Sequence, residues 1–354
     1  QPTDPENPQL STDPGRRRYT RNTLNLFSDY FYMEDSLFQV GFSYILLKND
    51  DDGVRSYEDY DRYMISLRDE HRFNPEWRSI LDLQFVKGDF ESTDPAVADA
   101  VVGELAPGVD FTPTEDQLSN DLNEYHLMLT AENNSFIHNP LFLTYNYIGA
   151  KYDEPLRNDS DIHQMRFTWR RDFSSQMYTR LGLGPSYEKT EGRDENWGGN
   201  GVAELNYQVE RGYYNFLVDK RYTVDNFSGD NQQGAVDAWD SRFSFGYLLL
   251  KDLTLNGSLG YVYEDRESPQ LALGRVLATD APPIILAGDN AGQLEEYHND
   301  IYTVGAGLSY NFKQFYTAGI SYTFIRQDSD RIGQDYDDHR LLLTLSWEKE
   351  LFRW

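Results

Sequence analysis

The chain has 354 residues, 26% of them charged and 39% hydrophobic, with a formal net charge of -27 and no cysteine. Its mean hydropathy is -0.68 and it holds no apolar run of about eighteen residues, which excludes a membrane-spanning helix. The missing cysteines exclude disulfides and thiolate metal sites, and 59 acids against 32 Lys and Arg argue against a nucleic-acid partner.

Residues 1–18 carry Pro2, Pro5, Pro8 and Pro14 and close on Arg16, Arg17 and Arg18. Proline lacks the N–H that a ladder needs, so this segment reads as a mobile tail with a basic anchor; the alternative is a tail folded into a lumen, its arginines held by carboxylates. Gln1, Pro2 and Thr3 open the chain without a charged start or an apolar core, so any export signal is expected to have been removed already.

From about residue 20 onward, apolar and polar residues alternate in stretches about ten long. Period-two alternation gives a strand one greasy face and one polar face. The pattern predicts strands at 20–33, 36–49, 57–73, 76–90, 122–136, 140–152, 160–173, 176–188, 200–211, 213–225, 236–250, 253–265, 298–312, 315–327 and 338–352. Turns such as Glu34-Asp35, Asn74-Pro75, Asn139-Pro140, Ser174-Ser175 and Lys251-Asp252 alternate with long connections, notably 91–121 and 266–297. No change of pattern marks a boundary, so residues 19–354 read as one domain.

Aromatics make up 15% of the chain, with 26 tyrosines. Tyr, Phe, Trp and Leu fill one face of the strands, and Gly, Ser, Thr and charges the other. Lipid outside, water or polar groups inside and no open edge are the requirements of a transmembrane antiparallel up-and-down β-barrel, an all-β fold. Short turns should face the periplasm and the long acidic loops the cell exterior. Single-chain bacterial barrels have even strand numbers, so an additional strand is expected within residues 8–19, giving about sixteen, with fourteen and eighteen as alternatives.

The alternation sorts the charges. Arg62, Arg68, Arg78, Arg166, Arg170, Arg180, Arg221, Arg242 and Arg340 fall on non-lipid positions. So do Glu58, Glu70, Asp82, Glu124, Glu132, Asp172, Glu204, Glu210, Asp219, Glu264 and Glu348. The predicted lumen is nearly balanced, and the acid surplus lies in the loops. Candidate mouth acids are Asp50, Asp51, Asp52, Asp94, Asp99, Glu104, Asp110, Asp328 and Asp330, which would concentrate cations, while a mixed Arg/Glu wall would orient polar solutes. These acidic runs also offer oxygens to Ca²⁺ or Mg²⁺, but none follows a calcium-loop spacing, and no cofactor is expected.

No histidine pair has metal-ligand spacing, so no metal site is expected, and the chain is not expected to be an enzyme. His126, beside Glu124 on the inner face, is the best candidate base for a hydrolase; a polar inner histidine is more often structural. His163 shares its parity with Met165, Phe167 and Trp169, placing it at the lipid interface. Gly182/Gly184 and Gly305/Gly307 are read as bend or close-approach positions within strands, not phosphate loops.

Two segments echo each other: Gly53–Leu67, through Tyr60, Asp61 and Arg62, and Gly333–Leu345, through Tyr336, Asp337 and Arg340. This loop-to-strand pattern resembles that of large proteobacterial barrels, including porin-like proteins associated with exopolysaccharide systems. The last strand, with Leu341, Leu343, Leu345 and Trp347 in step, resembles the signal read by the outer-membrane barrel-assembly machinery. The step slips at Phe352 and Trp354, as a bulge near Lys349 would produce. The expectation is a porin-like channel in a Gram-negative outer membrane, in contact with its lipid and lipopolysaccharide, passing small polar solutes or cations. The alternative is a plugged or export-type barrel serving a polysaccharide or protein partner.

Overall fold

The computed structural model describes residues 19–49, 59–90, 121–136, 138–153, 159–191, 195–224, 226–227, 235–267, 296–312, 316–330 and 335–347. They form fifteen strands in one antiparallel sheet whose spatial order is the chain order. The strands are β1 (Tyr19–Met33), β2 (Ser36–Asn49), β3 (Tyr60–Arg72), β4 (Trp77–Phe90), β5 (Leu122–Asn133), β6 (Leu141–Tyr152), β7 (Ser160–Ser174) and β8 (Met177–Thr190). They continue as β9 (Asn196–Val209), β10 (Gly212–Val224), β11 (Ala235–Leu250), β12 (Leu253–Glu267), β13 (Glu296–Phe312), β14 (Tyr316–Ser329) and β15 (Tyr336–Trp347). The expected sixteenth strand, the tail, the loops 91–120 and 268–295, and the slip at Phe352 lie outside the described residues. Among the described residues, no ladder joins β1 to β15.

Strand ends depart from the alternation mainly where turn chemistry intervenes. β5 stops at Asn133, three residues short of the expected end. Asn133 turns its side chain back, accepting the Ser135 N–H at 3.1 Å, and His138 adopts a left-handed φ of 67° ahead of Pro140. The expected two-residue turn is therefore a longer connection, since Pro140 has no N–H with which to begin a ladder.

The two faces separate as period two requires. Leu183, Leu343 and Leu345 point outward and are 75%, 73% and 74% exposed. The opposite face carries Gly41, Ser43, Gln164, Asn200 and Glu124. That inner face is not polar throughout, however. Toward the long-loop ends it holds buried apolar residues in three clusters: Ile45, Leu47, Tyr60, Phe90 and Leu122; Ile148 and Ile162, against which Tyr222 packs from the opposite face of β10; and Ile301, Ile325 and Tyr336. This corrects the expectation of a uniformly polar lumen. Tyr60 and Tyr336, which lie within the two echoing motifs and begin β3 and β15, belong to the first and third clusters.

The cause is curvature. The β9–β10 ladder ends at Lys220↔Gly201, while β10 continues to Val224. Beyond that point the Gln164 side chain on β7 takes over, accepting the Tyr222 N–H at 3.2 Å and donating to the Tyr222 carbonyl at 2.9 Å. An amide side chain thus replaces a neighbouring strand, satisfying both backbone groups that the ladder releases. Gly184 lets β8 lie close to β7: a Cβ there would collide with the Met165 carbonyl, in the stretch where the β7–β8 pairing lapses.

Candidate functional site

All nine inner arginines fall on the enclosed face by register, and most meet a carboxylate there. Arg68 reaches Glu70 at 2.6 Å and Asp82 at 3.3 Å, and Arg78 bonds Glu70 and approaches Glu132 at 3.9 Å. Arg166 spans the interior from β7 to Asp219 on β10 at 3.0 Å, and Arg221 takes the other Asp219 oxygen at 2.5 Å. Arg170 pairs with Asp172 at 2.8 Å, Arg180 with Glu204 at 2.8 Å, Arg242 with Asp240 at 2.6 Å, and Arg340 with Asp338. Asp240 and Asp338 were not among the sequence candidates, although each lies two residues before an arginine on the same face.

Within these pairs the two signs are not equally presented. Arg242 is 60% exposed and Asp240 4%; Arg180 is 42% exposed and Glu204 13%. A long guanidinium stem reaches past a short carboxylate that stays against the wall. In these two pairs the guanidinium is the group presented, whereas Arg170 and Asp172, Arg68 and Asp82, and Arg340 and Asp338 are exposed to more similar extents.

Glu124 and Glu264 belong to a different setting, nearer the loop ends and buried. Glu124 accepts from Asn226 at 2.6 Å and meets His126 Nε2 at 3.0 Å, while the Tyr152 hydroxyl donates to Asn226 at 2.5 Å. Glu264 accepts from Asn299 at 3.5 Å. His126 is thus committed to a buried carboxylate, and the Glu124–Asn226–Tyr152 bonds tie residues beyond β10 to β5 and β6. His163 lies on the outer face, bonded to the Tyr145 hydroxyl at 2.8 Å and set among tyrosine rings.

Phe227 was hidden in the sequence. It follows β10, yet its ring packs on Tyr60 and Phe90, with centroids 5.4 and 5.6 Å away, and Arg62 lies 4.6 Å above it. Gly88 leaves room for that ring. Residues 219–224, with Asn226 and Phe227, therefore bridge the inner faces of β7, β5, β4 and β3 at the loop end. The sequence signal for this was an aromatic residue inside a connection otherwise made of Asn, Ser, Gly, Asp, Gln and Ala.

Of the candidate mouth acids, Asp50, Asp51, Asp52, Asp94, Asp99, Glu104 and Asp110 lie outside the described residues. Asp328 sits on the outer face of β14, accepting from Arg326 Nε at 2.9 Å, and the Asp330 N–H donates to the His298 carbonyl at 3.2 Å. Among the described residues, no group of three or more His, Asp or Glu is arranged to hold a metal ion.

No family model and no curated protein matches this chain. Solved barrels do. The FrpB iron transporter from Neisseria meningitidis, F5-1 variant in its apoprotein form, aligns at 11% identity and TM-score 0.53 over 88% of this chain and 52% of that one. The copper transporter OprC aligns at 10% identity and TM-score 0.52 over 94% of this chain and 58% of that one. The chain thus spans a little over half the length of the structures it matches. At such identity the likeness shows the fold alone: an antiparallel up-and-down barrel sheet. These matches lend no support to the exopolysaccharide association that the loop-to-strand motif implied.

Proposed function

We propose that this chain forms a transport barrel that moves small polar solutes across the outer membrane through a path lined by inner arginines and their carboxylates. The observation that carries the reading is the ladder of charged pairs on the enclosed face, set against an outer face of Leu, Tyr and Phe. A purely structural sheet gains little from exposed guanidiniums, whereas a polar path needs groups that replace a solute's hydration. The fold is one that iron and copper transporters use, which supports transport without naming the solute. Cation preference rested on mouth acids that mostly lie outside the described residues, and in the described wall Arg180 and Arg242 present the opposite sign.

A second reading, a barrel closed at rest, is favoured by the bridge of residues 219–224, Asn226 and Phe227. Single-channel recording in a planar bilayer tests both. Steady conductance from the unaltered protein supports an open path. Silence that gives way to conductance when Phe227 is replaced by Ala supports a closed one, and silence in both proteins would overturn transport by simple passage.

A further inference from the structure

We propose that Arg170 and Arg180 form a docking station for an oxyanion, and that the transported solute bears a carboxylate or phosphate group. The proposal deepens the transport reading and rests on it for the solute's passage. Arg170 and Arg180 are direct cross-strand partners on the inner faces of β7 and β8. Like charges placed opposite each other destabilise a sheet, so the arrangement calls for a counter-charge.

The neighbouring acids supply it only in part. Asp172 accepts from Arg170 Nε at 2.8 Å, which leaves both terminal nitrogens of that guanidinium without a protein partner among the described residues. Glu204 meets Arg180 through Oε2, because its Oε1 is taken by the Tyr178 hydroxyl at 2.9 Å and by Asn215 Nδ2 at 3.1 Å. Arg180 Nε has no hydrogen-bond partner among the described residues, but it is buried against the wall, so the donors a ligand would reach are the terminal nitrogens. A guanidinium carries five donors in a fixed fork, so both residues keep donors for a ligand. The Tyr178 ring, 4.2 Å from the Arg170 guanidinium, holds that side chain in place. Arg170 is 38% and Arg180 42% exposed, so both are reachable from the enclosed space. Arg72 and Arg78 are likewise cross-strand partners, but Asp35, Glu70 and Glu132 satisfy them, and they are not part of the station.

The test is a titration of the detergent-solubilised full chain with inorganic phosphate, followed by phosphorus NMR, with planar-bilayer current recorded on the same preparations. The unaltered protein should bind phosphate saturably, and Arg170→Gln/Arg180→Gln should weaken binding at least about tenfold, the loss expected when charge-assisted bonds disappear. Arg170→Lys/Arg180→Lys keeps the charges and the carboxylate pairs but loses the fork, so binding should fall severalfold even if the glutamine pair fails to fold. No saturable binding by the unaltered protein, or binding that neither pair weakens, would overturn the station. Phosphate binding by a protein that stays silent both unaltered and as Phe227→Ala would leave the station standing and remove the transport reading. Current without phosphate binding would do the reverse.

Discussion

Arg62, Gly88 and Phe227 show how single residues decide the shape of the enclosed space. The Phe227 ring fits because Gly88 has no side chain, and Arg62 covers its face. Truncating a packed phenylalanine typically costs about 3 kcal/mol, with roughly a further 0.5–1 kcal/mol from the cation–π contact. Phe227→Ala should therefore lower the temperature at which the barrel loses its heat-modifiable migration on a gel, and raise conductance. An unchanged melting point would show that the ring is not seated as described. Leu259 and Ser258, neighbours on β12, make a sharper pair because they point to opposite faces. Leu259→Arg near mid-membrane should destabilise by about 2–4 kcal/mol and Ser258→Arg far less, as read by denaturant titration in lipid vesicles. Equal losses would refute the assignment of faces.

At the scale of elements, the alternation was a sufficient guide to the strands, since each has one face against lipid and period two follows directly. All fifteen strand positions could be read within a few residues, as could the inward parity of Arg68, Arg166, Arg180 and Arg242. What could not be read is contact between strands that are not neighbours. Gln164 reaching Tyr222, and Asn226 reaching Glu124, depend on how tightly the sheet curls, and no period in the chain encodes that. The apolar inner clusters escaped for the same reason: Ile45 and Leu47 share the parity of Ser43, and only curvature tells a wet position from a dry one. Glycine is where that curvature becomes legible. Gly184→Ala would drive a methyl group into the Met165 carbonyl, which cannot swing aside, whereas a Cβ at Gly199 would meet its nearest neighbour, the Gly184 carbonyl, at 3.7 Å. Gly184→Ala should reduce the yield of folded barrel in refolding assays and Gly199→Ala should not; matching yields would locate the bend elsewhere.

The described residues combine an apolar exterior, an inner wall of guanidiniums paired with carboxylates, and a bridge made by residues 219–224 with Asn226 and Phe227. Each feature has a physical cause: lipid contact demands the first, stem length produces the second, and a strand released from its ladder produces the third. All three require that the inner face meet water while the outer face meets lipid. The chain contains no cysteine, so single cysteines can be introduced without background. The most direct test places them in turn at Ser244, Asn256, Ser258 and Thr303 on the inner face and at Phe243, Leu255, Leu259 and Val304 on the outer face. Isolated outer membranes are then treated with a charged, water-soluble thiol reagent. The inner positions should react and the outer positions should be protected, alternating residue by residue along β12. Uniform protection would mean that no water-filled path exists, and reaction at Leu255 and Leu259 with protection at Asn256 and Ser258 would turn the barrel inside out.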